Sequence, residues 1–195
     1  SSRPWYLCNT PDPANAAHQA ALAYAKERLQ GRGPKAGKSS SQSLIIEHPD
    51  VRRSLLLQSG YVQAMRALVT YTAWCMDMAH VSEGDERDRW QGLVELLTPI
   101  SKAWCSDWGF RVTEWALQVY GGYGYTMDYP AEQYLRDCKI ASIYEGTNGI
   151  QALDLVGRKF RMQEGRPVKA LLKQAAEAAQ SLAGDPVLGP SAQLL

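Results

Sequence analysis

At 195 residues, with 45% hydrophobic and 21% charged side chains, the chain is long enough for one substantial domain with its own apolar core. Its 21 basic and 20 acidic residues leave a net charge of +1, which removes any electrostatic reason to expect nucleic acid or an anionic membrane as a partner. No apolar run approaches the length of a membrane span, and Ser1-Ser2-Arg3-Pro4-Trp5 lacks a signal-peptide core.

Residues 1–13 hold three prolines and no period, and read as an irregular lead-in. From Ala14 to Gln30 the composition turns to Ala, Leu, Lys, Glu and Arg, with Leu22, Ala25 and Leu29 at helical spacing. Gly31-Arg32-Gly33-Pro34 ends that helix, and a Gly/Lys/Ser loop runs on to Ser43. Pro49 suits the first turn of a second helix. Val51, Leu55, Val62, Met65, Val69, Thr72, Met76 and Ala79 then form a stripe to about His80. Ser82 to Asp88 reads as a charged turn.

A third helix follows, with Leu93, Leu97, Ile100, Trp104, Trp108, Val112, Trp115 and Val119 on one face and a kink or break expected at Pro99. Tyr125 to Pro130 is a turn, and Ala131 to about Lys139 a short helix. Beyond Tyr144-Glu145-Gly146, helical spacing resumes through Ile150, Leu153, Val156 and Phe160, and residues 167–182 add an alanine-rich helix. Nothing reads as a strand. The expected fold is all-α, an antiparallel four-helix bundle with additional C-terminal helices over residues 14–183, followed by a tail at 184–195.

The four cysteines, Cys8, Cys75, Cys105 and Cys138, are scattered without a Cys-x-x-Cys pair. They read as free thiols in a reducing compartment, with the cytoplasm as the default location. His18, His48 and His80 are too far apart for a metal motif, so no metal is expected; His48 beside Pro49 reads as a helix-entry residue. Gly37-Lys38-Ser39 misses the glycine spacing of a phosphate loop and follows a helix where that loop follows a strand.

Gly122 and Gly124 lack the preceding strand and third glycine of a dinucleotide fingerprint. They fit a helix C-cap and tight turn, although exposed N–H groups ringed by Tyr120, Tyr123 and Tyr125 also suit a flat ring system. In Ile143-Tyr144-Glu145-Gly146-Thr147-Asn148-Gly149-Ile150-Gln151, a carboxylate stands beside an uncrowded glycine at the mouth of a helix. Two readings stay open for Glu145: a base that approaches a bound ligand, or an acidic residue that complements the helix dipole.

Residues 118–151, from Gln-Val-Tyr-Gly-Gly-Tyr-Gly-Tyr-Thr-Met-Asp-Tyr-Pro through Arg136-Asp137 to Ile-Tyr-Glu-Gly-Thr, resemble the C-terminal signature of acyl-CoA dehydrogenases. The likeness extends back to Tyr24-Ala25-Lys26-Glu27-Arg28-Leu29-Gln30-Gly31, which is similar to that family's Arg-x-Gln-Phe-Gly element without its Phe. Gln133 stands where the family usually has Arg. Glu47-His48-Pro49-Asp50-Val51-Arg52-Arg53 and Asn148-Gly149-Ile150-Gln151 look most like a bacterial branch that includes methylthiopropionyl-CoA dehydrogenases.

The resemblance implies α,β-dehydrogenation of an acyl-CoA to the trans-2-enoyl-CoA with FAD as cofactor and Glu145 as catalytic base. It implies that Tyr144 and Gly146 meet the substrate, and that Thr147, Asn148 and Gly149 meet FAD. Arg28 and Gln118, Val119, Tyr120, Gly121 and Gly122 would contact the FAD of a neighbouring subunit in a homodimer or homotetramer, and an electron-accepting flavoprotein would be a partner. The family also has upstream helical and β domains that supply much of the site, so this chain alone is expected to have little activity. The alternatives are a catalytically silent helical assembly module and a relative of the acyl-CoA oxidases.

Overall fold

The computed structural model describes residues 11–34 and 42–192. Seven α-helices occur among them: α1 (Pro11–Ala25), α2 (Pro49–Val81), α3 (Gly84–Tyr120), α4 (Ala131–Ile140), α5 (Asn148–Gly157), α6 (Arg166–Leu182) and α7 (Gly189–Ala192). Short 3₁₀ segments cover Ile45–Glu47, Gly121–Tyr125 and Lys159–Gly165. The only extended pairing among the described residues is an isolated antiparallel bridge between Leu29 and Leu44. The all-α expectation holds. The chain divides into two compact units, one of residues 1–70 with 101–151, the other of 71–100 with 152–195.

In the first unit, α1 lays a stripe of small residues into the core. Ala17, Ala21 and Ala25 pack with Leu55 of α2, Ala116, Val119 and Tyr120 of α3, and Ala131 of α4. Alanines spaced by four let the helix backbones approach closely. A second cluster joins Ala14, Val62, Met65, Val69, Cys105 and Val112. Burying a Val, Leu or Met side chain contributes about 1.5–3 kcal/mol, so these clusters hold the helices together. One buried polar contact crosses this interior, His18 Nδ1 at 3.4 Å from Gln58 Oε1.

In the second unit, α6 is anchored on α2 and α3 by three contacts of different chemistry. Tyr71 donates its hydroxyl to Gln174 Oε1 at 2.6 Å. Gly92 leaves room for Pro167, whose Cγ would lie 2.8 Å from a Cβ at that position. Lys159, just before α6, donates to Glu95 Oε2 at 3.0 Å from a buried position. That hydrogen bond holds the Glu95 carboxyl below its ordinary range, against the opposing effect of burial.

Several boundaries differ from the sequence expectation. Helix α1 begins inside the expected lead-in, at Pro11, and ends at Ala25, five residues before Gln30. The backbone tightens through Arg28 N–H to Tyr24 C=O, then pairs across the loop through Gln30 N–H to Ser43 C=O and Ile45 N–H to Arg28 C=O. These bonds replace further helix, and Leu29 is 51% exposed. The expected turn at 82–88 shrinks to two residues, because helix α3 already starts at Gly84. It also runs unbroken through Pro99, where Thr98 donates its hydroxyl to the Val94 carbonyl one turn back.

The expected stripe on α3 does face the core, with Leu93, Leu97, Val112 and Val119 buried, but its aromatic members are not the most enclosed residues. Trp104, Trp108 and Trp115 are half-buried, while small or polar Ser101, Lys102, Ser106 and Thr113 are buried. Rings this large cover core from its margin, leaving the axis of contact to smaller side chains. On the C-terminal side, Ile150, Leu153 and Val156 do share a helix but are exposed, and Phe160 lies beyond its end. Residues 1–10 of the lead-in, the Gly37-Lys38-Ser39 loop and Cys8 lie outside the described residues.

Candidate functional site

The first group of candidate residues assembles around the loop that follows α1. The Leu29–Leu44 bridge brings 28–31 beside 43–48, and Gly31 takes a left-handed conformation (φ 67°) that reverses the chain. His48 Nε2 donates to the Gln30 carbonyl at 2.8 Å, tying the entry of α2 to the same loop. The last residues of α3 face it. A cavity of about 350 Å³ results, lined by Tyr24, Arg28, Gly31, His48, Gln118, Val119, Tyr120 and Gly121, among others. Five of the six residues expected at a neighbour's FAD thus converge, although they lie some ninety positions apart in sequence. Gly122 is not in the lining.

The walls have a definite chemistry. Tyr24 stacks on Tyr120 with ring centroids 4.2 Å apart, and Tyr129 meets both. Burial pushes the Tyr24 and Tyr120 hydroxyls above their ordinary values, so both rings stay neutral. Arg28 lies 5.1 Å from the centre of the Tyr123 ring, and among the described residues no salt bridge engages it. The expected aromatic ring is therefore partly different: Tyr125 is 83% exposed, and Tyr24 and Tyr129 complete the cluster.

Backbone geometry adds a cradle. Gly121 has φ 63°, and a Cβ at Gly121 or Gly122 would meet nothing within 4 Å, so this face of the turn is open. Gly124 is tightly enclosed: its Cβ would stand 2.6 Å from the Leu117 carbonyl. An open glycine backbone beside a guanidinium that forms no salt bridge among the described residues fits a diphosphate, because amide N–H groups and a planar cation both match phosphate oxygens. The residues present fit the pyrophosphate part of a flavin dinucleotide.

The second group lies at the corner between α4 and α5. After Ile140, Ile143 N–H and Tyr144 N–H both donate to the Ile140 carbonyl, closing the helix. Glu145 (φ 54°) and Gly146 (φ 84°) then take left-handed conformations in succession. For a residue with a Cβ this is uncommon and costs on the order of 1 kcal/mol or more. Thr147 starts α5: its carbonyl accepts from Gln151 N–H, and its hydroxyl lies 3.4 Å from Ile150 N. Capping therefore belongs to Thr147, and Glu145 stands two residues before it with an exposed side chain. Among the described residues no salt bridge holds the Glu145 carboxylate.

Beneath this corner runs a polar network that the sequence reading misses. Lys102 of α3, 9% exposed, donates from Nζ to the Gly146 carbonyl at 2.7 Å and to Asn148 Oδ1 at 2.9 Å. Asn148 Nδ2 donates in turn to Ser106 Oγ at 2.8 Å and Asp107 Oδ1 at 2.7 Å. The side chain of Asn148 is thus committed inside the chain. Burial lowers Lys102 below the ordinary lysine value, while the Asp107 and Glu145 carboxylates favour its charged form. The sequence signal is slight: Lys102 and Ser106 stand one turn apart on a helix that carries many other polar residues.

Tyr144 and Gly146 are partly buried, and Thr147 and Gly149 exposed. No residue of 144–149 lines the Arg28 cavity, so the structure places the expected sites in two locations. Among the described residues no group of three or more His, Cys, Asp or Glu is arranged to hold a metal ion, and no helix is long and apolar enough to cross a membrane. Cys75, Cys105 and Cys138 are free and buried.

Residues 2–160 match the family described as acyl-CoA dehydrogenase, C-terminal domain. A butyryl-CoA dehydrogenase of Syntrophomonas wolfei is 41% identical over 160 residues, covering 82% of this chain and 26% of that protein. A 3-methylmercaptopropionyl-CoA dehydrogenase of Ruegeria pomeroyi is 37% identical over 163 residues, covering 84% and 28%. Among solved structures, butyryl-CoA dehydrogenase from Megasphaera elsdenii superposes with a TM-score of 0.64 at 28% identity, over 80% of this chain and 35% of that one. The chain spans about a quarter of the length of these curated relatives.

Proposed function

Since the chain belongs to the acyl-CoA dehydrogenase family through its C-terminal domain, we propose that it contributes the catalytic base and part of the flavin cradle to an FAD-dependent acyl-CoA dehydrogenase. The observation that carries this reading is the left-handed Glu145–Gly146 corner, which presents a carboxylate free of any salt bridge among the described residues. In such an enzyme FAD accepts the hydride lost from the β-carbon.

Glu145 takes the α-proton of the acyl thioester. A free carboxylate is too weak for that step, so two conditions are required of the protein. The developing enolate oxygen needs donors, one of them the Glu145 N–H. Water must also be excluded, which raises the basicity of a carboxylate that stands exposed in this chain. Gly146 lets the thioester approach the backbone, and Tyr144 walls the acyl group. Thr147 and Gly149 meet FAD directly, while Asn148, its amide already engaged, contributes through backbone and support.

Arg28 and the Gln118–Gly122 backbone take the pyrophosphate of a second FAD from a neighbouring subunit, which accounts for two separated sites in one chain. That arrangement requires a homodimer or homotetramer. An electron-transferring flavoprotein is the proposed acceptor; a solved structure described as the electron transferring flavoprotein of Acidaminococcus fermentans includes a chain similar to this one (TM-score 0.64, 28% identity).

The test is Glu145→Gln in the FAD-loaded intact enzyme, complete with the helical and β domains, assayed with butyryl-CoA and 3-methylmercaptopropionyl-CoA. FAD content should be retained while kcat falls by roughly three orders of magnitude or more, equivalent to about 4 kcal/mol. Near-normal turnover would place the base elsewhere. Absence of flavin and of dehydrogenation in the unsubstituted intact enzyme would favour a silent assembly module.

A further inference from the structure

The Glu145 corner has an unusual foundation. Two successive left-handed residues, one of them with a side chain, are held by a carbonyl that accepts from a buried ammonium. The donor, Lys102, comes from the middle of a different helix and from forty-four positions away in sequence. Its second bond, to Asn148 Oδ1, fixes the first residue of α5, so one cation grips both sides of the Gly146–Thr147 linkage. The network ends at Ser106 and Asp107, four and five residues further along the same helix. Gln151 Nε2 adds only long contacts of 3.4 Å to the Glu145 and Gly146 carbonyls. Lys102 is the strong donor.

From this geometry we infer that Lys102 is a positioning residue of the proposed base: its bonds to the Gly146 carbonyl and Asn148 hold Glu145 in the left-handed conformation that aims the carboxylate. The inference rests on the base assignment above. It acts through backbone, not through contact with substrate. A charge-assisted bond to a carbonyl is about twice as strong as a neutral one, enough to oppose the tendency of Glu145 to relax to negative φ. A buried lysine is also costly unless its protons are used, and here two of the three are spent on this corner and the residue after it. Removing the ammonium should therefore loosen residues 144–149 and leave the α3 scaffold standing. Loss of aim lowers the rate of proton removal more than it lowers ligand affinity.

The experiment compares Lys102→Met, Lys102→Gln and Lys102→Arg in the FAD-loaded intact enzyme. Amide hydrogen exchange over residues 144–149 should accelerate by roughly tenfold or more in Lys102→Met, with protection of α3 beyond Asp107 kept. The kcat for butyryl-CoA should drop by roughly tenfold or more with KM within about threefold, and Lys102→Arg should recover part of it. Lys102→Gln, which retains one neutral donor, should show the same pattern at smaller amplitude, and serves if the Met variant fails to fold. Unchanged exchange at 144–149, equal loss of protection along α3, or parallel losses in kcat and affinity would overturn the inference. An active Glu145→Gln would remove the base assignment while leaving the exchange result standing. An inactive Glu145→Gln with unaltered exchange in the Lys102 variants would remove only the clamp.

Discussion

A methyl group at position 124 would stand 2.6 Å from the Leu117 carbonyl oxygen and 2.9 Å from Tyr120 Cβ, where neither backbone nor Cβ can yield cheaply. Gly124→Ala should therefore destabilise the fold by about 1–3 kcal/mol, whereas Gly122→Ala, with open space around it, should stay within about 0.5 kcal/mol; urea denaturation of the two variants side by side checks this. Two glycines of one motif, separated only by Tyr123, thus have opposite physical roles. The sequence identifies the motif without distinguishing them, because the clash depends on where the last turn of α3 directs its carbonyls. The same limit applies to the proposed base. Glu145 is legible from its local pattern, but Lys102 is not, since the contact that matters joins residues forty-four apart.

The element that departs most from its periodicity is α1. Helix-forming residues continue past Ala25, yet the chain leaves the helix because Arg28, Gln30 and Ser43 find partners across the loop. That exit places Arg28 over Tyr123 and into the cavity with Gln118 and Gly121. An unbroken helix to Gln30 would have carried Arg28 along the helix axis instead. Arg28→Ala should reduce FAD retention by roughly tenfold while the far-ultraviolet circular dichroism of the protein is unchanged. Arg28→Lys should fall between, since an ammonium lacks the planar fork that matches a pyrophosphate. Equal flavin content in all three proteins would show that the cavity is not a cofactor site. For α3, the large aromatic side chains mark the margin of the buried face and not its centre. Volume draws the eye to Trp104 and Trp108, whereas close helix packing also selects Ser101, Cys105 and Ser106, which the stripe does not include.

Across the whole molecule, buried thiols set the alkaline limit of stability. Burial pushes Cys105 and Cys138 up to about 12 from an ordinary 9.0. The folded state therefore keeps these protons in a range where the unfolded chain releases them, and stability falls as pH rises between those values. Each thiol should cost on the order of 1 kcal/mol by pH 10. Tyr24, Tyr71 and Tyr120, also raised by burial, act in the same direction, and Lys102, lowered by burial, opposes them. Urea midpoints measured at pH 8 and pH 10 should decline, and the decline should be smaller in Cys105→Ala and Cys138→Ala.

At this scale the division between sequence and structure is clear. Composition and periodicity alone determined an all-helical chain and the extents of α2 and α6 to within a residue or two, while the resemblance of its motifs to a known family singled out the Glu-Gly corner. Those properties depend on neighbours within one or two helical turns. Only the tertiary structure decided where α1 ends, which small and polar residues of α3 are fully buried, that two candidate sites stand apart, and that a lysine underlies the corner. Each of these is settled by hydrogen bonds and close packing between segments far apart in sequence, whose energies no local pattern encodes.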